Sequence, residues 1–310
     1  MRADGACDMS RLSVLLPVRN ARTSIGDAVR STLADLPDDA ELIVGDDAST
    51  DGTPEVLAGI DDLRLRVISC PGRGLSAALN TLLDATDSEF VARMDADDIV
   101  IRGRFHRQMR ALQTADTVFT TVATQHGSGV PRPAWPVGIG AGEFGFHLLL
   151  TNPVAHSTMA ARRAAIVDAG GYRAVPSEDY DLWLRLQSRG ARMRRLATPG
   201  LVYRVHADQV TAADGWRMSS WQDDSTQQAF AELSERLLGV PQMRISSLAV
   251  APLTRGAKLA RMADFDRHFR SAVRRVPLPA RAALLRRLAA RAEWLWQRTD
   301  VTPGLIGAAT

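Results

Sequence analysis

Hydrophobic and polar positions alternate in blocks along the first 125 or so residues, in a pattern typical of strands that alternate with helices. Short apolar runs predict strands over residues 12–18, 41–45, 65–69 and 90–94. Helical spacing lies between them, over residues 24–35 and 74–84. This order predicts an α/β fold with a mostly parallel sheet. Right-handed crossovers bring the carboxyl ends of such strands to one edge, where open α/β sheets bind ligands.

The pattern changes beyond about residue 125. Residues 125–142 are rich in proline and glycine and predict a loop. Regular structure resumes over residues 144–150, a helix is expected over 180–188, and a strand is expected over 201–206. After about Gly215 the pattern is helical, which predicts a helical C-terminal region.

The composition narrows the class of protein. The 310 residues are 45% apolar and 24% charged with a net charge of +3, which is ordinary for a globular protein. Aromatic residues make up only 5% and do not interleave with a stripe of arginines, which argues against nucleic-acid binding. The sequence shows neither a signal peptide nor an apolar run long enough to span a bilayer. With only two cysteines, we expect a reducing, cytoplasmic setting.

Two acidic segments are the strongest candidates for chemistry. Asp95 and Asp97 follow the predicted strand over 90–94, and such a carboxylate pair offers oxygen ligands to a divalent cation. Asp46 and Asp47 end another strand and could accept hydrogen bonds from a ribose or a base. Each segment also has a simpler interpretation. The first could be a solvated turn that caps a helix, and the second a polar loop leading to a helix at Thr53.

Four motifs in this order resemble glycosyltransferase family 2, and the similarity extends over about residues 10 to 206. They are Ser13-Val14-Leu15-Leu16-Pro17-Val18-Arg19-Asn20, Asp46-Asp47-Ala48-Ser49-Thr50-Asp51-Gly52-Thr53, Gly74-Leu75-Ser76-Ala77-Ala78-Leu79-Asn80 and Met94-Asp95-Ala96-Asp97-Asp98. The resemblance implies a GT-A fold. It also implies an inverting enzyme that moves a sugar from a nucleoside-diphosphate sugar to a hydroxyl acceptor, in the synthesis of a glycan, glycolipid or cell-surface polysaccharide.

The resemblance implies a donor site built from side chains at or near the ends of the first strands. The residues expected to bind the donor are Pro17, Arg19, Asp46, Asp47, Arg73, Asn80, Asp95 and Arg204. It assigns Asp97 as the metal ligand, with Mn²⁺ or Mg²⁺ as the cofactor, and Asp95 to the ribose or sugar. Strand alternation puts Arg204 and His206 on one face, where His206 is expected to contact the metal or a phosphate.

Further segments look like family elements on the acceptor side, where His156, Tyr172 and Glu178 are expected. The resemblance implies that Asp179 is the catalytic base, because an acceptor hydroxyl must lose its proton as it attacks. The alternative is that Glu178 and Asp179 only stabilise the start of a helix through its dipole.

We therefore expect a GT-A catalytic domain over residues 1–214 and a helical extension over 215–310. The catalytic domain would hold a nucleotide-sugar half over about 10–125 and an acceptor half over about 143–206. The segment from Pro279 to Arg298 has a basic amphipathic pattern, so it packs on the protein or a second subunit, or lies peripherally on the inner face of a membrane.

Two rival functions remain open at this point. One is a nucleotidyltransferase of related fold, which would normally need a loop with glycine and lysine near Arg19. The other is a catalytically inactive protein that binds nucleotide sugars, which would lack a metal-binding or base carboxylate.

Overall fold

A computed structural model describes residues 11–134, 137–205 and 214–299 of the chain. Contacts within the chain divide it into two compact units, each built from three segments. The first unit contains residues 1–139, 154–174 and 191–206, and the second contains residues 140–153, 175–190 and 207–310. The division does not fall at a single point along the chain, and the predicted domain boundary at residue 214 stays a prediction.

All strands of the described residues belong to one sheet in the first unit. They are β1 (Leu12–Val18), β2 (Ala40–Asp46), β3 (Leu65–Ser69), β4 (Phe90–Arg93), β5 (Ile99–Val100), β6 (Thr117–His126), β7 (Arg132–Pro133), β8 (Ala160–Arg162) and β9 (Met193–Val205).

The helices are spread over both units. They are α1 (Ile25–Asp35), α2 (Thr53–Ala58), α3 (Leu75–Asp84), α4 (Arg104–Ala111), α5 (Ala141–Leu148), α6 (Arg163–Asp168), α7 (Glu178–Ser188), α8 (Asp214–Gln222), α9 (Asp224–Leu238), α10 (Ile245–Val250), α11 (Arg255–Ala272) and α12 (Leu278–Arg298). A 3-10 turn spans His156–Thr158.

The sheet has the strand order β3-β2-β1-β4-β8-β6-β9-β5, and β7 pairs with β6. Strands β3, β2, β1 and β4 run parallel, so their carboxyl ends lie at one edge. Every residue of β1 is buried, which explains why this strand is apolar without alternation. The predicted donor residues at the ends of β1 and β2 therefore lie at this edge.

Beyond β4 the sheet becomes mixed, since β8 pairs antiparallel with both β4 and β6. Neither β6 nor β8 was among the predicted strands. The β-branched run Thr117–Val122 was a visible signal for β6, whereas β8 has only three residues and depends on its neighbours. The predicted loop over 125–142 contains the end of β6 and the two-residue strand β7.

The second unit is helical in its described residues. Helix α9 begins after Asp223, whose carboxylate accepts a hydrogen bond of 2.7 Å from the backbone N–H of Thr226. In α12, Leu284, Leu288 and Leu295 are fully buried, so its apolar stripe packs against protein. Within residues 11–134, 137–205 and 214–299, no helix combines the length and apolar character needed to cross a bilayer.

Candidate active site

The loops that follow β1 and β2 are joined by hydrogen bonds at the carboxyl edge of the sheet. The backbone N–H of Asn20 donates to Ser49 Oγ at 2.9 Å, and the N–H of Thr50 donates to Asn20 Oδ1 at 2.8 Å. Asn20 adopts a left-handed conformation with φ of 52°, which asparagine tolerates better than most residues. These contacts fix the two loops that carry the first and second motifs.

The predicted donor residues of these strands differ in exposure. Pro17 is buried in β1 opposite Gly45 of β2, and Arg19 is exposed just beyond the strand. Asp46 is half-buried and accepts a hydrogen bond of 3.1 Å from the backbone N–H of Ser49. Arg19 and Asp46 thus lie together at the strand ends, and their donor contacts stay predictions.

Asp47 organises a third loop. Its side chain is 3% exposed, and its two oxygens accept hydrogen bonds from the backbone N–H groups of Gly72 at 2.7 Å and Gly74 at 3.0 Å. Both glycines have positive φ, of 68° and 89°, which residues with a Cβ rarely adopt. The loop carries Arg73 between them, with its side chain exposed. Asp47 therefore fixes the position of this loop, and its donor contacts stay a prediction.

Asn80 has a similar clamping role. Its Nδ2 donates to the carbonyl of Tyr172 at 2.8 Å, and its Oδ1 accepts from the N–H of the same residue at 2.9 Å. Gly171, the residue before Tyr172, has a φ of 66°, and a Cβ at this position would lie 2.7 Å from Asn80 Oδ1. The hydroxyl of Tyr172 lies 3.2 Å from His156 Nε2. The structure thus joins Asn80 to the predicted acceptor-side residues Tyr172 and His156.

Asp95, Asp97 and Asp98 form an acidic cluster directly after β4. Each can offer an oxygen such that all these atoms lie within 4.8 Å of one another. Three carboxylates at this spacing fit the oxygen coordination that Mg²⁺ and Mn²⁺ prefer. The donor set of this cluster therefore suits the predicted cation.

Asp98 is the buried member of this cluster, and sequence reasoning did not single it out. Its Oδ2 accepts a hydrogen bond from Ser157 Oγ at 2.8 Å, and its Oδ1 accepts from the backbone N–H of Arg204 at 3.2 Å. Burial, together with the negative charges of Asp95 and Asp97, raises the pKa of Asp98 to about 8. A cation bound beside it would reverse this effect by favouring the carboxylate.

Two buried arginines, Arg93 and Arg104, lie next to the acidic cluster. Arg93 is 2% exposed and donates from Nη2 to Asp95 Oδ1 at 2.5 Å. Arg104 is fully buried and donates from Nη2 to the carbonyls of Arg93 at 2.7 Å and Ser157 at 2.6 Å. Burial lowers the pKa of Arg104 to about 10, so it remains a cation at neutral pH. A charged residue inside an apolar strand was the sequence signal for Arg93.

Arg204 lies near the end of β9, where its backbone contacts Asp98. Its Nη2 lies 3.4 Å from Asp27 Oδ2, an exposed ion pair that contributes little to stability. A phosphate could compete for this guanidinium, so the predicted diphosphate contact stays a prediction. His206, the second predicted metal ligand, lies outside the described residues.

Asp179 belongs to the second unit, in the first turn of α7. Its Oδ2 accepts a hydrogen bond of 2.8 Å from Asn152 Nδ2, and its Oδ1 lies 2.6 Å from the backbone nitrogen of Tyr180. Glu178 is half-buried beside it. Asn152 is a partner that sequence reasoning did not assign to Asp179, although it lies in a segment that resembled the family. Both the base and the helix-start interpretations agree with this geometry.

Asp181 differs from its neighbours in the same turn. It is fully buried, and its Oδ2 accepts a hydrogen bond of 2.8 Å from Arg185 Nε one turn later. A buried carboxylate paired within its own helix serves the structure of α7. Asp179 is the more accessible aspartate of this turn, which suits a proton acceptor better.

Known proteins resemble this chain in sequence and fold. The UDP-Glc:alpha-D-GlcNAc-diphosphoundecaprenol beta-1,3-glucosyltransferase WfaP of Escherichia coli is 26% identical over 211 residues, which cover 66% of this chain and 81% of that protein. The structure of S. aureus TarS 1–349 in complex with UDP-GlcNAc matches 94% of this chain and 90% of its own, with a TM-score of 0.59 at 18% identity. The mannosyltransferase PcManGT from Pyrobaculum calidifontis, in complex with GDP-Man and Mn²⁺, matches 94% of this chain and 84% of its own, with a TM-score of 0.54 at 21% identity.

The parallel half-sheet, the acidic cluster after β4 and these likenesses define a glycosyltransferase with the GT-A type of α/β fold. The chain belongs to glycosyl transferase family 2, whose sequence profile matches residues 13–171. The fold class, the enzyme class and the family expected from the four motifs are thereby confirmed.

Proposed function

We propose that the protein uses a divalent cation and a nucleoside-diphosphate sugar to glycosylate a hydroxyl acceptor with inversion at the anomeric carbon. The observation that carries the proposal is the acidic cluster of Asp95, Asp97 and Asp98 at the carboxyl edge of the parallel strands. WfaP, by its name, takes a glucose from UDP-Glc and acts on a lipid-diphosphate-linked sugar. A related acceptor in glycan, glycolipid or polysaccharide synthesis suits this chain.

The donor-binding part of the proposal rests on the loops at the sheet edge. Asp47 holds the loop of Arg73, and Asp46 and Arg19 lie at the neighbouring strand ends. Asp97, with Asp95 or Asp98, would hold Mn²⁺ or Mg²⁺, and His206 is a further candidate ligand. When bound, such a cation neutralises charge on a departing diphosphate.

Asp179 is the proposed base. The acceptor oxygen forms a bond to the anomeric carbon while the bond from that carbon to the diphosphate oxygen breaks, and the hydroxyl proton passes to Asp179. The hydrogen bond from Asn152 orients this carboxylate, and an ionised carboxylate can act as a general base.

The experiment is a panel of nucleotide sugars incubated with the protein and Mn²⁺ or Mg²⁺, followed by detection of released nucleoside diphosphate. We expect slow hydrolysis of one donor, loss of this activity in EDTA, and near-complete loss in Asp97→Asn. Asp61→Asn removes an exposed carboxylate of the same unit and is the matched control, which should retain activity.

Three results would contradict the proposal. Full activity after EDTA treatment, or in Asp97→Asn, would remove the metal assignment. Release of pyrophosphate from a nucleoside triphosphate and a sugar 1-phosphate, without donor hydrolysis, would instead identify a nucleotidyltransferase. A protein that binds a nucleotide sugar but never cleaves it would be an inactive binder.

A further inference from the structure

The second unit holds a group of four arginines that we call the arginine cluster: Arg244, Arg287, Arg291 and Arg298. Three of them lie over aromatic rings, and the fourth, Arg287, is close enough to act electrostatically on Arg291. The guanidinium carbons of Arg291 and Arg298 lie 4.2 and 4.6 Å from the ring centre of Trp294 on the same helix, α12. The guanidinium carbon of Arg244 lies 4.8 Å from the ring centre of Tyr180. These are distances at which a cation is attracted to the face of an aromatic ring.

The cluster is connected through its aromatic members. Trp294 packs edge-to-face against Trp221 with ring centres 5.5 Å apart. Arg244 donates from Nη1 to the carbonyl of Ser220, the residue before Trp221, at 2.9 Å. These contacts connect Arg244, through α8, to Trp294 and the arginines around it in α12.

Carboxylate partners are missing from this cluster in the part of the chain that the structure describes. None of its four arginines makes an ion pair within 4.0 Å there. On neighbouring α11, by contrast, Arg270 pairs with Asp266 at 2.7 Å. Asp179 and Asp223 act on Arg244 only at longer range. Among the described residues, the cluster thus concentrates positive charge without a carboxylate in direct contact with it.

These cations are also partly removed from water. The Nε atom of Arg291 is buried and has no hydrogen-bond partner in the described residues. Burial lowers the pKa of Arg244, Arg287 and Arg291, and for Arg291 the positive charges of its neighbours lower it further. Cations held in this way are costly unless an anion accompanies them.

The apolar face of α12 is already occupied, because Leu284, Leu288 and Leu295 are buried in the protein. The helix therefore offers its arginines, and not its apolar stripe, to a ligand. Trp296 adds an exposed aromatic surface, with Arg255 4.6 Å from its ring centre. A ligand that joins an anionic group to an apolar part would match this combination.

We infer that the arginine cluster binds a phosphate or diphosphate group. Arginine forms charge-assisted, bidentate hydrogen bonds with such oxyanions. Tyr180, which Arg244 contacts, directly follows the proposed base Asp179. The group belongs either to the acceptor, in which case the inference rests on the proposed function, or to an anionic lipid headgroup.

The test measures binding of inorganic pyrophosphate by titration calorimetry in EDTA, where divalent cations cannot recruit it to the acidic cluster. Arg291→Gln should weaken binding by about 10-fold to 100-fold, the worth of one hydrogen bond to a charged group. Arg286→Gln removes the same charge from an exposed position of the same helix and should bind as the wild type does. Arg298→Gln, at an exposed position, serves as a second variant should Arg291→Gln fold poorly.

A second arm distinguishes the two sources of the phosphate group. Vesicles of phosphatidylcholine with and without phosphatidylglycerol are sedimented with each variant. Selective loss of vesicle binding in Arg291→Gln, but not in Arg286→Gln, identifies a lipid headgroup. Selective loss of pyrophosphate binding without any vesicle binding identifies the acceptor.

Equal binding of both probes by wild type, Arg291→Gln and Arg298→Gln would overturn the inference and show that the aromatic rings alone hold these cations. The absence of any binding by the wild-type protein would overturn it as well. Donor hydrolysis by the wild-type protein is measured separately. Failure of the anion site and failure of the proposed function therefore give different results.

Discussion

Replacement of Asp47 by alanine tests how the loop of Arg73 is held in the proposed donor site. Asp47 is 3% exposed, and its carboxylate accepts two hydrogen bonds, from the backbone N–H groups of Gly72 and Gly74. Each such bond to a charged group contributes about 1.5–3 kcal/mol. Because Gly72 is exposed, its N–H can bind water after the truncation. We therefore take the lower value, about 1.5 kcal/mol, for each of the two hydrogen bonds. We expect a loss of about 3 kcal/mol, or about 6–12 °C in Tm for a unit of this size.

Cys70 provides a local assay of the same loop. It lies just before the loop, with its backbone N–H bonded to the carbonyl of Asp46 at 2.8 Å. Burial, and then the charges of Asp47 and Asp46, raise the pKa of the Cys70 thiol to about 11. The native thiol should therefore resist iodoacetamide at pH 8. The Asp47→Ala substitution removes one of the negative charges and loosens the loop that buries Cys70, so the pKa of the thiol should fall. Alkylation of Cys70, followed by mass spectrometry, should therefore become faster.

The same variant is then titrated with nucleoside diphosphate, for which we expect at least about a tenfold weaker affinity. Asp61→Ala removes an exposed aspartate of the same unit and is the control for stability, labelling and affinity. An Asp47→Ala protein with the wild-type Tm and a protected Cys70 would refute the reasoning. Lower affinity with unchanged stability would mean that the carboxylate acts on the ligand alone.

Two further substitutions test residues outside the metal cluster. Asp179→Asn should lower kcat by about 10²–10⁴-fold with donor affinity nearly unchanged, because asparagine keeps the size of the side chain but cannot take the proton. Kinetics and calorimetry beside Glu178→Gln check this, and near-normal kcat would end the assignment of the base. Asn80→Ala removes both hydrogen bonds to the backbone of Tyr172 and should cost about 2 kcal/mol in a thermal melt. Ser76→Ala, which loses one exposed hydrogen bond, is its control, and equal melting of the two variants would deny Asn80 a clamping role.

The sequence alone predicted the first four strands. Strands β1, β2 and β4 are apolar runs that become almost wholly buried within the sheet, whereas β3 is the partly exposed strand at its edge. Seven consecutive buried residues in β1 leave little freedom for another interpretation. The motif at Asp95 and Asp97 could be recognised from the sequence, since only Met94 separates it from the end of β4. The local sequence pattern was sufficient to predict a structure or a motif wherever it depends only on residues that are neighbours along the chain.

Other features depend on residues far apart in sequence. β8 has only three residues, so its place between β4 and β6 follows from its partners and not from its own pattern. The arginine cluster draws one member from before α10 and three from α12, and no spacing along the chain predicts that Arg244 lies over Tyr180 of α7.

The candidate site shows the same division between sequence and structure. The motifs gave the types of side chain and their order, because these follow from local strand ends and turns. Only the tertiary structure showed that Asp47 holds a loop 25 and 27 residues away, and that Asn80 clamps a backbone 92 residues away. A carboxylate or amide forms its hydrogen bonds with whichever donors folding brings within reach, so its partners are a property of the folded chain.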